Sequence, residues 1–162
     1  GIDHSDNEEN NSDLINHNLE NGIPENIKKP DIIVALDVLE HIENIHLVFN
    51  QLFKISNKKI VVALPNMGYY KFRLNFLISG VLSGKYIFSE KNVLDRHRWI
   101  PNYKSIEHFT KSNTPDSWKV KKYKYIAERK RNYLFYFLEK ILSKFFPGLF
   151  VYEVIYFFEK KK

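Results

Sequence analysis

The chain has 162 residues, a formal net charge of +6, 44% hydrophobic residues and 27% charged residues. This is enough apolar material to build the core of one domain over residues 1–162, so a wholly disordered chain is excluded. The sequence contains no cysteine, which excludes disulfide frameworks, thiolate metal sites and cysteine nucleophiles. The N-terminus is acidic and has no signal-peptide pattern, and no apolar run reaches membrane-spanning length. We expect a cytoplasmic protein, with a membrane-peripheral location as an alternative.

The charge is unevenly distributed along the chain. Residues 1–53 carry eleven acidic side chains and two lysines, whereas residues 54–162 carry 23 Lys and Arg against eight acidic residues. A basic region of this size attracts nucleic acid, an anionic membrane or an anionic substrate, although a solvated lysine surface has the same composition. The charge alone leaves these alternatives open.

The first half of the chain predicts a strand–helix–strand unit. Residues 14–19 alternate weakly and predict a short strand. Residues 31–39 form a nearly continuous apolar run, which is typical of a central parallel strand that is buried on both faces. Helical spacing of apolar residues over 43–55 and a second buried strand over 60–64 complete a right-handed βαβ unit.

The second half of the chain is less regular. Residues 69–79 and 103–111 predict helices, separated by a loop that carries a charged cluster at 95–98. Residues 118–127 alternate apolar side chains with lysines and predict a strand exposed on one face. An aromatic-rich helix over 133–146 and a last strand over 150–158 follow.

Four motifs in chain order carry a family resemblance. They are Gly1-Ile2-Asp3, His17-Asn18-Leu19, the DIIVALDVLEHI segment at 31–42, and the LPN segment that ends at Asn66. This order resembles the class I S-adenosylmethionine (SAM)-dependent methyltransferases, and in particular the methionine-biosynthesis-W-like family. The resemblance implies an α/β, Rossmann-like methyltransferase fold: an open, mostly parallel twisted sheet with helices on both faces.

The same resemblance implies that the chain is N-terminally truncated. The family's first strand, first helix and Gly-rich cofactor loop have no counterpart here, so we expect the fold to be incomplete at its N-terminus. The intact parent would transfer a methyl group from SAM to a small-molecule or lipid-linked acceptor, and this fragment would be inactive alone. The alternative is a non-catalytic module that binds nucleic acid or membrane through its lysines.

The resemblance assigns the cofactor-binding residues. Asp3 would end the family's second strand and accept hydrogen bonds from both ribose hydroxyls. Asn18 would contact the adenine amino group, with the backbone N–H of Leu19 as a second contact. Asp37 follows the strand that begins at Asp31 and would line the cofactor site, because ligands of open α/β sheets bind at that edge.

The D-x-x-E-H segment also resembles the metal sites of Hen-type small-RNA methyltransferases and of ubiquinone-pathway O-methyltransferases. By this resemblance Asp37, Glu40, His41 and His97 would bind Mg, Mn or Zn. His41 and His97 are the candidate catalytic residues, with His97 suited to act as a general base near neutral pH. In the alternative interpretation, the Glu and His of this segment only hydrogen-bond nearby loops.

Two further regions point to the acceptor. Arg96 and Arg98 belong to a charged cluster with Asp95. Either of them, or Arg73, would bind an anionic substrate. Residues 133–150 contain seven aromatic residues and follow Arg129-Lys130-Arg131, so they predict either a core or lid helix or an interfacial helix near a lipid substrate. The expected partners are a small-molecule acceptor and peripheral membrane contact through 133–150, with nucleic acid less favoured.

Overall fold

The structure, a computed structural model, describes residues 2–3, 15–82, 86, 96–126 and 133–161. Short 3₁₀ turns occur at Leu19–Asn21 and Leu39–His41. The strands and helices, numbered in chain order, are β1 (Ile2–Asp3), β2 (Ile15–Asn16), β3 (Ile32–Leu36), α1 (Ile45–Ile55), β4 (Lys59–Pro65), α2 (Tyr70–Ser79), α3 (Tyr103–Asn113), β5 (Trp118–Tyr125), α4 (Tyr133–Phe145), α5 (Pro147–Phe150) and β6 (Glu153–Lys160).

The strands form two sheets within the described residues. The larger sheet has the order β3-β4-β6-β5, and β1 and β2 form a separate parallel pair. β3 and β4 are parallel and are joined by α1, which confirms the predicted βαβ unit. β6 runs antiparallel to both β4 and β5, so the start of β6 lies beside the end of β4.

The core lies between the larger sheet and helices α1 and α3. Phe49 of α1 is fully buried, and its ring contacts Phe53, Phe109 and Phe158. Helix α1 begins at Ile45 because the side chain of the preceding residue, Asn44, accepts a hydrogen bond from the Leu47 amide, as a helix N-cap does. The apolar residues at helical spacing therefore face the sheet, as the sequence predicts.

The structure corrects three predictions of local structure. Within residues 15–19, strand pairing is limited to β2, after which the chain turns. The last strand begins at Glu153 rather than at residue 150, because Pro147 starts the short helix α5. β3 is not buried on both faces: Ile32, Val34 and Leu36 are 58%, 60% and 51% exposed. These three side chains share the face of β3 that is opposite α1.

An apolar groove separates the two sheets. It is lined by Ile15 and Leu19 beside β2 and by Ile33 and Val34 of β3, and α1 contributes Val48 and Leu52. β3 is the outermost strand of the larger sheet, so the groove runs along its unpaired edge. Among the described residues, no helix combines the length and the apolar character needed to cross a membrane.

Candidate functional site at the carboxyl edge of the sheet

Several polar side chains gather where the parallel strands end. Asp37 directly follows β3, Asn66 directly follows β4, and Glu153 opens β6 beside Pro65. In open α/β sheets this carboxyl edge is where ligands bind, because the loops that leave the strands converge there. The order of the strands therefore places these side chains on one rim.

Asp37 occupies an unusual backbone conformation at this rim. Its φ is +52°, and within the described chain it is the sole residue other than glycine with a positive φ. Aspartate tolerates this left-handed region better than most residues, and such conformations cluster at functional sites. Burial, together with the nearby Asp37 carboxylate to which Glu153 is hydrogen-bonded, raises the pKa of Glu153 to about 7. The rim thus holds a carboxyl group that titrates near neutrality.

Asn66 joins three parts of the chain at the end of β4. Its side chain is fully buried, and its Nδ2 donates to the carbonyl oxygens of Gly148 at 3.2 Å and Val151 at 2.6 Å. Its Oδ1 accepts from the amides of Gly68 and Tyr103, each at 3.0 Å. All four hydrogen-bonding positions of the amide are therefore used. The sequence indicates Asn66 only as the residue that follows a strand. Three of its four partners lie far away in the chain, so a local sequence pattern does not reveal them.

The turn after β3 anchors a distant segment. Glu40 is buried to 1% exposure, and its backbone carbonyl accepts from the amides of Arg98 at 2.9 Å and Trp99 at 3.3 Å. The Trp99 indole N–H donates to the carbonyl of Ile42 at 2.8 Å. These bonds hold residues 96–99 against the turn and bring His97 to His41, with ring centroids 4.5 Å apart.

The hydrogen bonds of the two histidines fix their neutral tautomers. His41 Nδ1 lies 3.0 Å from the carbonyl oxygen of Arg96, which can only accept, so Nδ1 carries the proton. The Tyr86 hydroxyl donates its single proton to the Trp99 carbonyl at 2.9 Å, so it accepts from His97 Nδ1 at 2.7 Å. Burial and the nearby Glu40 carboxylate raise the pKa of Tyr86, which keeps that hydroxyl protonated. In an imidazole that donates through Nδ1 and is neutral, Nε2 is the nitrogen that carries the lone pair.

Glu40, His41 and His97 form a cluster with the spacing of metal ligands. One carboxylate oxygen and one ring nitrogen from each histidine all lie within 4.8 Å of one another. The distance from His41 Nε2 to Glu40 Oε1 is 3.9 Å. Histidine ligands of metals commonly donate their other N–H to a carbonyl or similar acceptor, as both histidines do here. Asp37, the fourth predicted ligand, is not part of this group and pairs with Glu153 instead.

The predicted cofactor residues lie at the carboxyl ends of β1 and β2. Asp3 ends β1 and pairs in register with Asn16, the last residue of β2. Asn18 follows two residues later and caps the turn at Leu19–Asn21, with Oδ1 accepting from the Glu20 amide at 3.0 Å. Because β1 and β2 are parallel, Asp3 and Asn18 belong to the same end of that pair.

The predicted substrate-side residues are divided between two places. Arg73 Nε donates to the carbonyl of Gly68 at 2.6 Å, so this arginine supports the loop after β4. Arg96 and Arg98 lie in the segment held against Glu40. Asp95 lies outside the described residues.

The fold is the Rossmann-like fold of class I SAM-dependent methyltransferases, which confirms the predicted fold class. The plantazolicin methyltransferase BpumL, in complex with a monoazolic desmethylPZN analogue and SAH, matches with a TM-score of 0.55 and 15% identity over 100% of this chain. The match covers 66% of the BpumL chain. Magnesium protoporphyrin IX methyltransferase (ChlM) from Synechocystis PCC 6803, with bound SAH, is 12% identical at a TM-score of 0.48, over 91% of this chain and 50% of ChlM.

The chain belongs to the family described as methionine biosynthesis protein MetW, which matches residues 11–152. This confirms the family predicted from the sequence motifs. No curated protein sequence matches the chain significantly. The chain spans half of ChlM and 58% of BpumL in its complex with SAH alone.

Proposed function

We propose that this chain forms part of a SAM-dependent methyltransferase that acts on a small-molecule or lipid-linked acceptor. The observation that carries the proposal is the convergence of polar side chains at the carboxyl ends of the strands, in a fold shared with enzymes that bind SAH. SAM supplies an activated methyl group, and its transfer needs mainly proximity and orientation of the acceptor. The alternative, a non-catalytic module that binds nucleic acid or membrane, predicts no affinity for SAH.

The residues at the ends of β1 and β2 fit the cofactor chemically. Asp3 offers a carboxylate at the end of β1, and a carboxylate can accept from both hydroxyls of a ribose. Asn18 Oδ1 keeps a second lone pair beside the one used by Glu20, so it can still accept from an adenine amino group. We assign Leu19 to the same subsite through its backbone N–H, and Asp37 to the adjoining rim.

The test is calorimetric titration of SAH into the full-length protein. Asp3→Ala should weaken SAH binding by about 1–3 kcal/mol, since the ribose loses a charged acceptor. Asp31→Ala is the matched control: Asp31 lies at the opposite end of β3, where it pairs with Lys58 at 2.6 Å. Unchanged affinity in Asp3→Ala would contradict the assignment, and the absence of any SAH binding would favour the non-catalytic alternative.

We propose that the groove between β2 and β3 receives a further strand from polypeptide outside residues 1–162. The groove is apolar, β3 ends the larger sheet, and three of its apolar side chains are exposed. Such an edge is a ready template for strand pairing. A longer protein should therefore melt more cooperatively and at a higher temperature than residues 1–162 alone, and identical melting transitions would contradict the proposal.

We also propose that Glu40, His41 and His97 bind a divalent cation, Mg, Mn or Zn. Two neutral imidazoles with fixed tautomers and a buried carboxylate suit such an ion. A cation there would act as a Lewis acid beside the acceptor, and His41 and His97 would be catalytic residues only if they contact it or the acceptor.

The metal proposal is tested by binding and by activity. Titration of each cation into the protein should show one site that is lost in His97→Ala and kept in His46→Ala, whose histidine is exposed and pairs with Asn113. EDTA treatment should abolish methyl transfer, and the correct ion should restore it. If the enzyme is fully active in EDTA and binds no cation, the metal proposal is wrong. The three residues would then only hold residues 96–99 in place.

A further inference from the structure

Helix α4 buries polar residues and exposes apolar ones. Its buried residues are Glu139 and Ser143, both polar. A helix on the surface of a globular protein normally buries apolar residues and exposes polar ones. The exposed apolar residues of α4, each between 38% and 86% exposed, are Tyr133, Leu134, Phe135, Phe137, Leu138, Ile141 and Phe145.

The hydrogen bond between Glu139 and α2 supports this orientation, whereas Ser143 is paired within α4 itself. Glu139 is 5% exposed, and its Oε1 accepts a 2.6 Å hydrogen bond from the Tyr70 hydroxyl of α2. Ser143 Oγ donates to the Lys140 carbonyl at 2.9 Å. Rotating α4 to bury its aromatic side chains would break the bond to Tyr70 and expose a different face. The apolar side is therefore held outward by the packing of the polar side.

The second half of α2 is exposed in the same way. Residues 73–81 are all exposed, and the apolar ones among them include Leu77 at 80% and Ile78 at 83%. A helix segment that presents apolar side chains without burying them normally contacts an apolar partner. The Tyr70 hydroxyl of α2 contacts Glu139 of α4, and we call the exposed apolar residues of the two helices together the α2/α4 face. It comprises residues 74–78 together with the exposed apolar residues of α4.

The positive charges on these helices indicate what kind of partner the α2/α4 face fits. The ionisable groups exposed on α2 and α4 are Lys71, Arg73, Lys140 and Lys144, all cationic, and the only acidic residue of either helix is the buried Glu139. A second copy of the same face would bring like charges together. An anionic lipid surface instead offers headgroups to the cations and an acyl region to the aromatic side chains.

We propose that the α2/α4 face binds an anionic membrane surface. α4, with 13 residues, lies along the interface rather than through it. α2 follows the loop that leaves β4 at the carboxyl edge of the sheet, where the candidate site lies. The methyl acceptor is then a lipid-linked molecule, a part of the inference that rests on the function proposed above.

Vesicle sedimentation with the full-length protein tests the proposal. The protein should sediment with vesicles of mixed phosphatidylcholine and phosphatidylglycerol and remain largely free with pure phosphatidylcholine. Lys140→Glu/Lys144→Glu should lower the partition coefficient at least tenfold, on the order expected for several surface charges. Leu77→Ser/Ile78→Ser should lower it comparably, since these side chains are exposed and their loss removes no core packing.

The matched control is Lys119→Glu/Lys121→Glu, which reverses two exposed lysines on β5 and should leave vesicle binding within about twofold of wild type. An equal loss in this control would show nonspecific attraction and overturn the proposal. So would failure to bind any vesicle, or a dimer that Leu77→Ser/Ile78→Ser converts to monomer. Because SAH binding is measured separately, a protein that binds SAH but no vesicle overturns this inference and leaves the proposed function standing.

Discussion

Replacing Asn66 with alanine should destabilise the protein far more than a typical loss of one asparagine. The side chain makes four hydrogen bonds, and the two to Val151 and Tyr103 are buried. Removing it leaves two carbonyl oxygens and two amides without these partners. A buried polar group that loses its partner costs about 1–3 kcal/mol.

The magnitude follows from how many of those groups can reach water. The partners Gly68 and Gly148 are partly buried and can be rehydrated in part, whereas the carbonyl of Val151 and the amide of Tyr103 cannot. We therefore expect a loss of about 3–5 kcal/mol in the free energy of unfolding. Asn66→Asp should be comparably harmful, since it places an oxygen where the two carbonyls now receive N–H donors.

Urea denaturation of wild type, Asn66→Ala and the control Asn57→Ala measures this difference. Asn57 is exposed, and its Nδ2 donates to the Lys29 carbonyl at 3.0 Å, so removal of this solvent-accessible amide should cost less than about 1 kcal/mol. If Asn66→Ala costs no more than Asn57→Ala, the buried amide does not join β4 to α3 and to residues 148–151 in the way described.

Two further predictions concern the rim of the site. Burial raises the pKa of Glu153 to about 7 from its usual 4.5, so its contribution to stability is fully present below pH 4.5 and is lost as the pH rises through 7. Urea unfolding at pH 5 and pH 8 should show this loss in wild type and not in Glu153→Gln; equal losses would exclude Glu153 as the cause. Asn18→Asp should keep both the turn cap and SAH affinity, whereas Asn18→Leu should lose about 1 kcal/mol of stability and weaken SAH binding in the same titration.

The sequence predicted those parts of the fold that depend on local periodicity. The apolar spacing of α1 and the runs at β3 and β4 are enough to indicate a βαβ unit, because each pattern is completed within a few residues. The exposure of Ile32 and Val34 was not predictable in this way, since it depends on what packs against β3. The sequence leaves the orientation of α4 open between a core or lid helix and an interfacial one for a similar reason: its polar contact with Tyr70 is made across 69 positions.

The sequence likewise predicts some features of the candidate site and not others. Glu40 and His41 are adjacent in sequence, and the family resemblance was needed to associate them with His97. The backbone bonds that bring His97 there run from residues 96–99 to the turn after β3 and leave no local sequence signal. The positive φ of Asp37 was also not foreseen, because it results from how the chain leaves β3 toward that turn.

Hydrogen exchange of the full-length protein with and without SAH tests the central claim, that the cofactor binds at the carboxyl edge of the strands. The account predicts slower amide exchange in residues 16–22 and 36–42, which follow β2 and β3, and no change in residues 56–60 at the opposite edge. Protection at residues 56–60, or at the lysines of β5, with none at 16–22 and 36–42 would contradict it.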